Sequence, residues 1–317
     1  MQIKNHKAKK SLGQNFLKSE LALRKIIEAG EIKSDDVILE IGPGKGALTK
    51  KLLEKSGTVI AVEKDRELFE FLKEKFEKEI LENKLILINE DILDFNINQV
   101  IQKFFSGPRF SGSLSRPDHS KNFESPDFKI IANIPYNITG AILKKFLGGL
   151  HQPELMVLMV QHEVAKRIVG KGSNPSTPLR VKESILSISV KAYGEPKMIM
   201  KVDKRYFSPA PKVDSAIISI KNISREKFTS PQPSPYKREG GNGTVQNKSL
   251  NNQIFEEKFW EIVKAGFAHK RKKLSSNLKN VCQSLALADL KNKRAEDLTL
   301  EDWIILASKA GKNQPLE

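Results

Sequence analysis

A chain of 317 residues, 29% charged and 39% hydrophobic, has the length and composition of a globular protein with more than one domain. Its 54 lysines and arginines outnumber 38 acidic residues, a net charge of +16 that points to a polyanionic partner. A single cysteine, Cys282, and five scattered histidines exclude a disulfide framework and give no metal-ligand spacing. Short, apolar, β-rich runs at residues 37–41, 58–62, 85–88, 129–131 and 155–160 predict strands covered on both faces. Residues 47–55, 65–76 and 141–146 between them carry helical spacing, with Asp65 and Thr139 as starts. This alternation predicts an α/β fold, a doubly wound sheet. Residues 197–202 and 215–220 follow as an antiparallel edge pair, and only helical patterning remains later, at 255–267, 273–278 and 300–310.

Two segments rich in Ser, Pro and Gly, 106–127 and 229–252, read as surface insertions. The expected organisation is a sheet domain over residues 1–222, a linker over 223–252 and a small all-helical domain over 253–317. The basic start through Lys10 lacks the apolar core of a secretory signal, and the longest apolar run, 155–160, is too short to span a bilayer. The expectation is a cytoplasmic monomer whose polyanion is nucleic acid rather than membrane.

The tips of the predicted strands carry polar residues where open α/β sheets bind their ligands. The first ends in Glu40-Ile-Gly42-Pro-Gly44-Lys-Gly46, a turn that lets a ligand approach the backbone. It lacks the Gly-Lys-Ser/Thr ending of a phosphate loop, and its alternate glycines break the dinucleotide register. Glu63 ends the second strand, where a carboxylate can accept both hydroxyls of a ribose, and Asp91 follows the third, suited to an adenine amine. Each acid has a plainer alternative as a helix cap or solvated loop residue. The fourth tip is Asn133-Ile134-Pro135-Tyr136. Its amide offers an acceptor, the residue before proline is held extended, and the ring offers a stacking face. A simple turn is the plainer alternative. Together the tips point to an adenosine-bearing ligand beside a second flat, amine-bearing group.

Seven stretches in order carry a resemblance. They are Ser11-Leu-Gly-Gln-Asn-Phe-Leu17, residues 40–49, Val62-Glu-Lys-Asp65, Asn133-Ile-Pro-Tyr-Asn-Ile138, Gln161-His-Glu-Val-Ala-Lys-Arg167, Phe207-Ser-Pro-Ala-Pro-Lys-Val-Asp-Ser215 and Phe267-Ala-His-Lys-Arg-Lys-Lys-Leu274. The set resembles the ribosomal RNA adenine dimethyltransferase family over nearly the whole chain apart from the two insertions. Its helical tail looks like that of the branch acting on small-subunit rRNA, rather than the antibiotic-resistance branch acting on large-subunit rRNA.

The resemblance implies a Rossmann-like sheet dependent on S-adenosylmethionine. It also implies dimethylation of the N6 amines of two adjacent adenines in a hairpin near the 3′ end of 16S rRNA, within a pre-ribosomal particle. It assigns Asn15 and Leu17 to closure over the cofactor, Gly42 to its methionine portion, Glu63 to the ribose and Asp91 to the adenine. Asn133 would bridge cofactor and target base, Tyr136 would stack on that base, and Phe207 would cover its opposite face. The basic runs at residues 4–10 and at His269-Lys270-Arg271-Lys272-Lys273 would track phosphates of structured RNA. No metal is implied. One departure is the stretch 170–179, longer than the family's short turn, which leaves RNA contacts there undefined. Three other readings stay open: a nicotinamide-dependent oxidoreductase, a non-catalytic RNA-binding assembly factor, and a large-subunit enzyme of the resistance type. The first offers no reason for residues 133–136.

Overall fold

A computed structural model of the chain describes residues 7–105, 127–170, 182–229, 245–281 and 292–310. It divides into two compact units, one of residues Met1–Ala165 and Glu195–Ile223, the other of Lys166–Gly194 and Ser224–Glu317. The first half of the chain runs β1 (Phe16–Leu17), α1 (Glu20–Ala29), β2 (Val37–Ile41), α2 (Ala47–Leu53), β3 (Thr58–Glu63), α3 (Arg66–Lys75) and α4 (Glu77–Leu81). It continues through β4 (Leu85–Asn89), α5 (Ile97–Phe105), β5 (Phe128–Asn133), α6 (Thr139–Leu147), β6 (Leu155–Gln161) and α7 (His162–Val169). The second half adds α8 (Ile185–Lys191), β7 (Glu195–Val202), β8 (Phe207–Ser208), β9 (Ser215–Lys221), α9 (Val245–Phe267), α10 (Leu274–Asn277) and α11 (Leu300–Ala310).

Seven strands form one sheet in the order β4-β3-β2-β5-β6-β9-β7. The first five in that order are parallel; β9 is antiparallel to both β6 and β7. Strands β2 and β3 are buried at every position, β5 and β6 at all but the last, as strands covered on both faces must be. The chain runs outward from β2 through β3 to β4, then returns to lay β5 on the other side of β2. Strand order therefore reverses between β2 and β5, and their carboxyl ends open the crevice that such sheets use for ligands. The expected antiparallel pair forms as β7 and β9, with a register shift between Met198 and Met200. Its β9 member is internal, because β6 takes its other edge.

Local signals set the helix starts. Asp65 caps α3, its Oδ1 accepting from Glu67 N–H at 3.1 Å. Thr139 is the first residue of α6, which has no side-chain cap, and its hydroxyl donates back to the Tyr136 carbonyl at 3.0 Å. Helix α1, not among the predicted helices, is capped by Ser19 and buries only Ala22, Leu23 and Ile26. Those residues join Leu48 and Leu52 of α2 against Ile38, Val59, Ile131 and Val157 of the sheet. At the amino end of β5 the Lys129 ammonium pairs with Asp36 at 2.6 Å and donates to the Glu31 carbonyl at 2.9 Å.

The second unit is built around aromatic residues. Trp303 of α11 is fully buried and stacks on Phe267 at 5.5 Å. Gly266 permits that approach, since a Cβ there would lie 2.3 Å from the indole. The Tyr193 hydroxyl donates to Glu256 at 2.5 Å and accepts from the Trp260 indole at 2.9 Å. Burial and the Glu256 carboxylate push its pKa up.

The expected linker over 223–252 differs from what forms. Residues 245–252 are the first turns of α9, and 224–229 belong to the second unit. The physical reason for the latter is Phe228, fully buried against Tyr193, Phe255 and Phe259. Residues 166–194 also join that unit, so it is assembled from two stretches of chain. Residues 106–126, 171–181 and 230–244, which hold most of both insertions and of the 170–179 stretch, lie outside the described residues. Among the described residues no helix is long and apolar enough to cross a membrane.

Candidate active site

A cavity of about 350 Å³ lies in the first unit at the reversal point of the sheet, within the size range of small-molecule sites. Asn15, Leu17, Gly42, Glu63, Asp91, Asn133 and Tyr136 all line it. Four strand ends and the amino-terminal segment are thus brought around one space, as the spacing of motifs leads one to expect.

The glycine turn forms the first wall. Gly42 and Gly44 adopt φ of 65° and 60°, left-handed conformations that side chains disfavour. This path aims Gly44 N–H at Glu63, and it donates to Oε2 at 3.0 Å. Asp65 N–H donates to Oε1 of the same carboxylate at 2.9 Å. Each Glu63 oxygen is therefore anchored by a backbone donor and retains a lone pair for a further hydroxyl. Burial raises the Glu63 pKa, and the two backbone donors only partly offset it, so the net shift is upward.

Asp91 is engaged by its surroundings. Its Oδ1 accepts from Leu93 N–H at 3.0 Å and its Oδ2 pairs with Lys64 at 2.6 Å. Lys64 in the first place, then Leu93, holds this carboxyl below its usual range.

Asn133 ends β5. Its amide nitrogen donates to the Asn15 carbonyl at 3.1 Å, which leaves the amide oxygen as the group able to accept. Pro135 is extended at φ −61° and ψ 129°, and the next residue, Tyr136, places its hydroxyl 2.5 Å from Ser215 Oγ. Burial raises the Tyr136 pKa beyond what that hydrogen bond offsets, so the phenol stays neutral.

Phe207 does not line the cavity. It is buried in the core beside Leu17, its partner across the β1–β8 ribbon, while the neighbouring Ser208 does line the space. Side chains alternate along a strand, so a core-facing Phe207 turns Ser208 to the opening. Lys270, Arg271, Lys272 and Lys273 are exposed in the second unit, between α9 and α10. Of the basic run at 4–10, residues 7–10 are described, and Lys9 pairs with Asp65 rather than facing solvent alone.

Two further residues matter here, and neither has a role legible from its motif. Glu40 lines the cavity, is fully buried in β2, and its Oε2 has no hydrogen-bond partner. Burial, with the neighbouring Glu63 charge adding to it, pushes its pKa up to about 8. An acid inside an apolar strand run is the signal that could have found it. Ser215 is also fully buried, and nothing in the sequence pairs it with a tyrosine 79 positions earlier.

A mostly parallel Rossmann-like sheet with a glycine turn and strand-tip acids around one cavity is an architecture that the S-adenosylmethionine-dependent methyltransferases share. Within that class the chain belongs to the ribosomal RNA adenine dimethylase family, whose model matches residues 5–232. It is 34% identical over 312 residues to the ribosomal RNA small subunit methyltransferase A of Rippkaea orientalis, covering 95% of this chain and 96% of that protein. Two solved structures share the fold at 23% identity. A dimethyladenosine transferase from Plasmodium falciparum superposes with a TM-score of 0.62, covering 92% of this chain and 95% of that one. The 23S rRNA methyltransferase ErmE gives 0.61, covering 94% and 100%. Family membership makes the chain an rRNA adenine methyltransferase and sets aside the nicotinamide-dependent and non-catalytic readings.

Proposed function

We propose that this protein dimethylates the N6 amines of two adjacent adenines in a hairpin near the 3′ end of small-subunit rRNA. It acts as a cytoplasmic monomer on a pre-ribosomal particle. The observation that carries the proposal is the convergence of Glu63, Asp91, Asn133 and Tyr136 on one cavity. S-adenosylmethionine fits this donor set. A doubly anchored, buried Glu63 suits vicinal hydroxyls, the Gly42–Gly44 turn admits close approach, and Asp91 suits an exocyclic amine at the cost of its Lys64 contact. The cofactor supplies an electrophilic methyl group.

The protein's own part is positioning and electrostatics. An adenine amine is a poor nucleophile because its lone pair is delocalised into the ring. The Asn133 amide oxygen, with the Ile134 carbonyl, accepts from the amine and stabilises positive charge as it develops on nitrogen. Tyr136 receives the base once it leaves its stack. No strong base is required for this step.

The 23S rRNA methyltransferase ErmE superposes as well as the dimethyladenosine transferase, so the fold alone does not exclude a large-subunit target. The small-subunit assignment of the relative from R. orientalis favours that branch. Incubation with purified small and large particles, followed by mass spectrometry of both rRNAs, tests it. Dimethyladenine is expected in the small-subunit rRNA, and its appearance only in large-subunit rRNA rejects the proposal. Neutralising Lys270, Arg271, Lys272 and Lys273 should flatten the salt dependence of particle binding by about one slope unit per lost phosphate contact. Binding of S-adenosylmethionine alone should not change. An unaltered salt slope removes this run from the RNA surface.

A further inference from the structure

The segment that roofs the cavity is held in two different ways. On one side β1 pairs with β8, and Lys18 N–H donates to the Tyr206 carbonyl at 2.8 Å. On the other, Lys9 Nζ donates to Asp65 Oδ1 at 2.8 Å and Gln14 Nε2 donates to Asp65 Oδ2 at 2.7 Å. Lys9 N–H donates in turn to Gln14 Oε1 at 2.8 Å, which closes a ring of the three residues. The Asp65 side chain is completely buried beneath them. Residues 11–18 between and beyond these ties line the cavity.

We propose that Asp65, Lys9 and Gln14 form a latch that sets how long the cofactor stays bound. The latch ties the roof to the strand tip that carries Glu63. The inference rests on the S-adenosylmethionine reading of the cavity. Asp65 suits this part because its backbone N–H holds Glu63 Oε1 while its carboxylate holds the roof, so closure and the ribose acceptor share one residue. The backbone ladder on the β8 side can persist while side-chain contacts on the Asp65 side open. Gly13, at φ 64°, lies between the two latch donors and supplies a permissive backbone joint. Lys9 is 39% exposed, so water and salt reach the ion pair and can compete for it.

Release is measured on the whole protein by chasing bound radiolabelled S-adenosylmethionine with unlabelled cofactor, and affinity by calorimetry. Lys9→Met and Gln14→Ala, both at part-exposed positions, should release the cofactor about two- to fivefold faster. Asp65→Asn, which keeps an acceptor for the α3 cap, should release it about tenfold faster. Wild-type release should accelerate with salt, and Lys9→Met should lose the latch's share of that dependence. Lys9→Arg should restore slow release. In the cofactor-free protein, hydrogen exchange at Leu12 and Gly13 should rise in the first two variants, a readout independent of activity. Normal wild-type binding with unchanged release in all three weakened variants overturns the latch and leaves the cofactor reading standing. A wild-type protein that binds no S-adenosylmethionine overturns both.

Discussion

The floor and the roof of the cavity are built on different physical terms. Floor residues sit at the ends of β2, β3 and β5, where parallel ladders fix each position, as with Ile41 opposite Val62 and Asn133 opposite Met159. The roof is a short two-stranded ribbon and a cluster of side chains around Asp65. Backbone ladders rigidify, whereas part-exposed side-chain contacts open at low cost. Floor substitutions should therefore change affinity and chemistry, and roof substitutions should change the rates of entry and exit.

Asn133→Ala should produce the largest change. Removal of a preorganised acceptor costs roughly 10²–10³ in turnover by analogy with other such groups. Single-turnover methyl transfer measures it directly. Transfer at the wild-type rate would show that the floor only binds, and the division of labour would collapse.

This part of the site is legible in the sequence for a specific reason. Each floor residue directly follows a short apolar run, so locating the strand also locates its tip. The site's long-range contacts are not legible. Tyr136 meets Ser215 only because β9 inserts antiparallel beside β6, a pairing that no local pattern announces. Phe207 and Ser208 occupy a two-residue strand, and which one faces the cavity depends on a single step of register. The stretch 224–229 of the second unit escapes for a related reason. Phe228 is one aromatic in a polar stretch, so composition suggests a linker where burial against Tyr193 and Phe259 makes it core.

Glu40 tests the floor through stability. Its carboxyl titrates at about 8 in the folded protein against an ordinary 4.5. Between those values the folded state holds a proton that the unfolded chain has released, so stability falls as pH rises through the window and stays lower above it. The cost is on the order of a few kcal/mol in full. Glu40→Gln in cofactor-free protein should thus gain stability over wild type at about pH 9 and show little gain at about pH 4. Urea melts at both pH values provide the comparison, and parallel curves for the two proteins would contradict it.

Glu63→Ala should weaken S-adenosylmethionine binding by about tenfold or more, since charge-assisted bonds to hydroxyls contribute roughly 1.5–3 kcal/mol. The geometry adds a second cost, because Gly44 N–H and Asp65 N–H both lose their acceptor. A loss of about 1–3 kcal/mol in stability should accompany the weaker binding. The upward shift of Glu63 has a sign of its own. The carboxylate is the form that accepts hydroxyls, so wild-type affinity should decline on acidification at a higher pH than an unshifted glutamate would allow. Calorimetry across pH separates these effects, and unchanged affinity in the variant would remove Glu63 from the cofactor site.

The smallest expected change concerns how the base-stacking ring is held. Tyr136 stands on the floor, yet its hydroxyl is fixed by Ser215, a fully buried residue on β9 paired with Gln161 on one side and Val202 on the other. The ring is thereby braced between the end of a parallel strand and the start of an antiparallel one. Tyr136→Phe and Ser215→Ala each delete this one hydrogen bond and leave the stacking face intact. A neutral bond contributes about 0.5–1.5 kcal/mol, so each should raise KM for rRNA a fewfold and lower kcat less. Cofactor affinity should stay at the wild-type value, because the deleted bond runs from the Tyr136 hydroxyl to Ser215, which does not line the cavity. Since both changes remove the same contact, the double variant should be no worse than either single one. Additive losses would mean that Ser215 acts on the sheet rather than on Tyr136. The brace would then belong to the fold alone, and the floor would hold its aromatic platform by stacking and the Pro135 turn without help from β9.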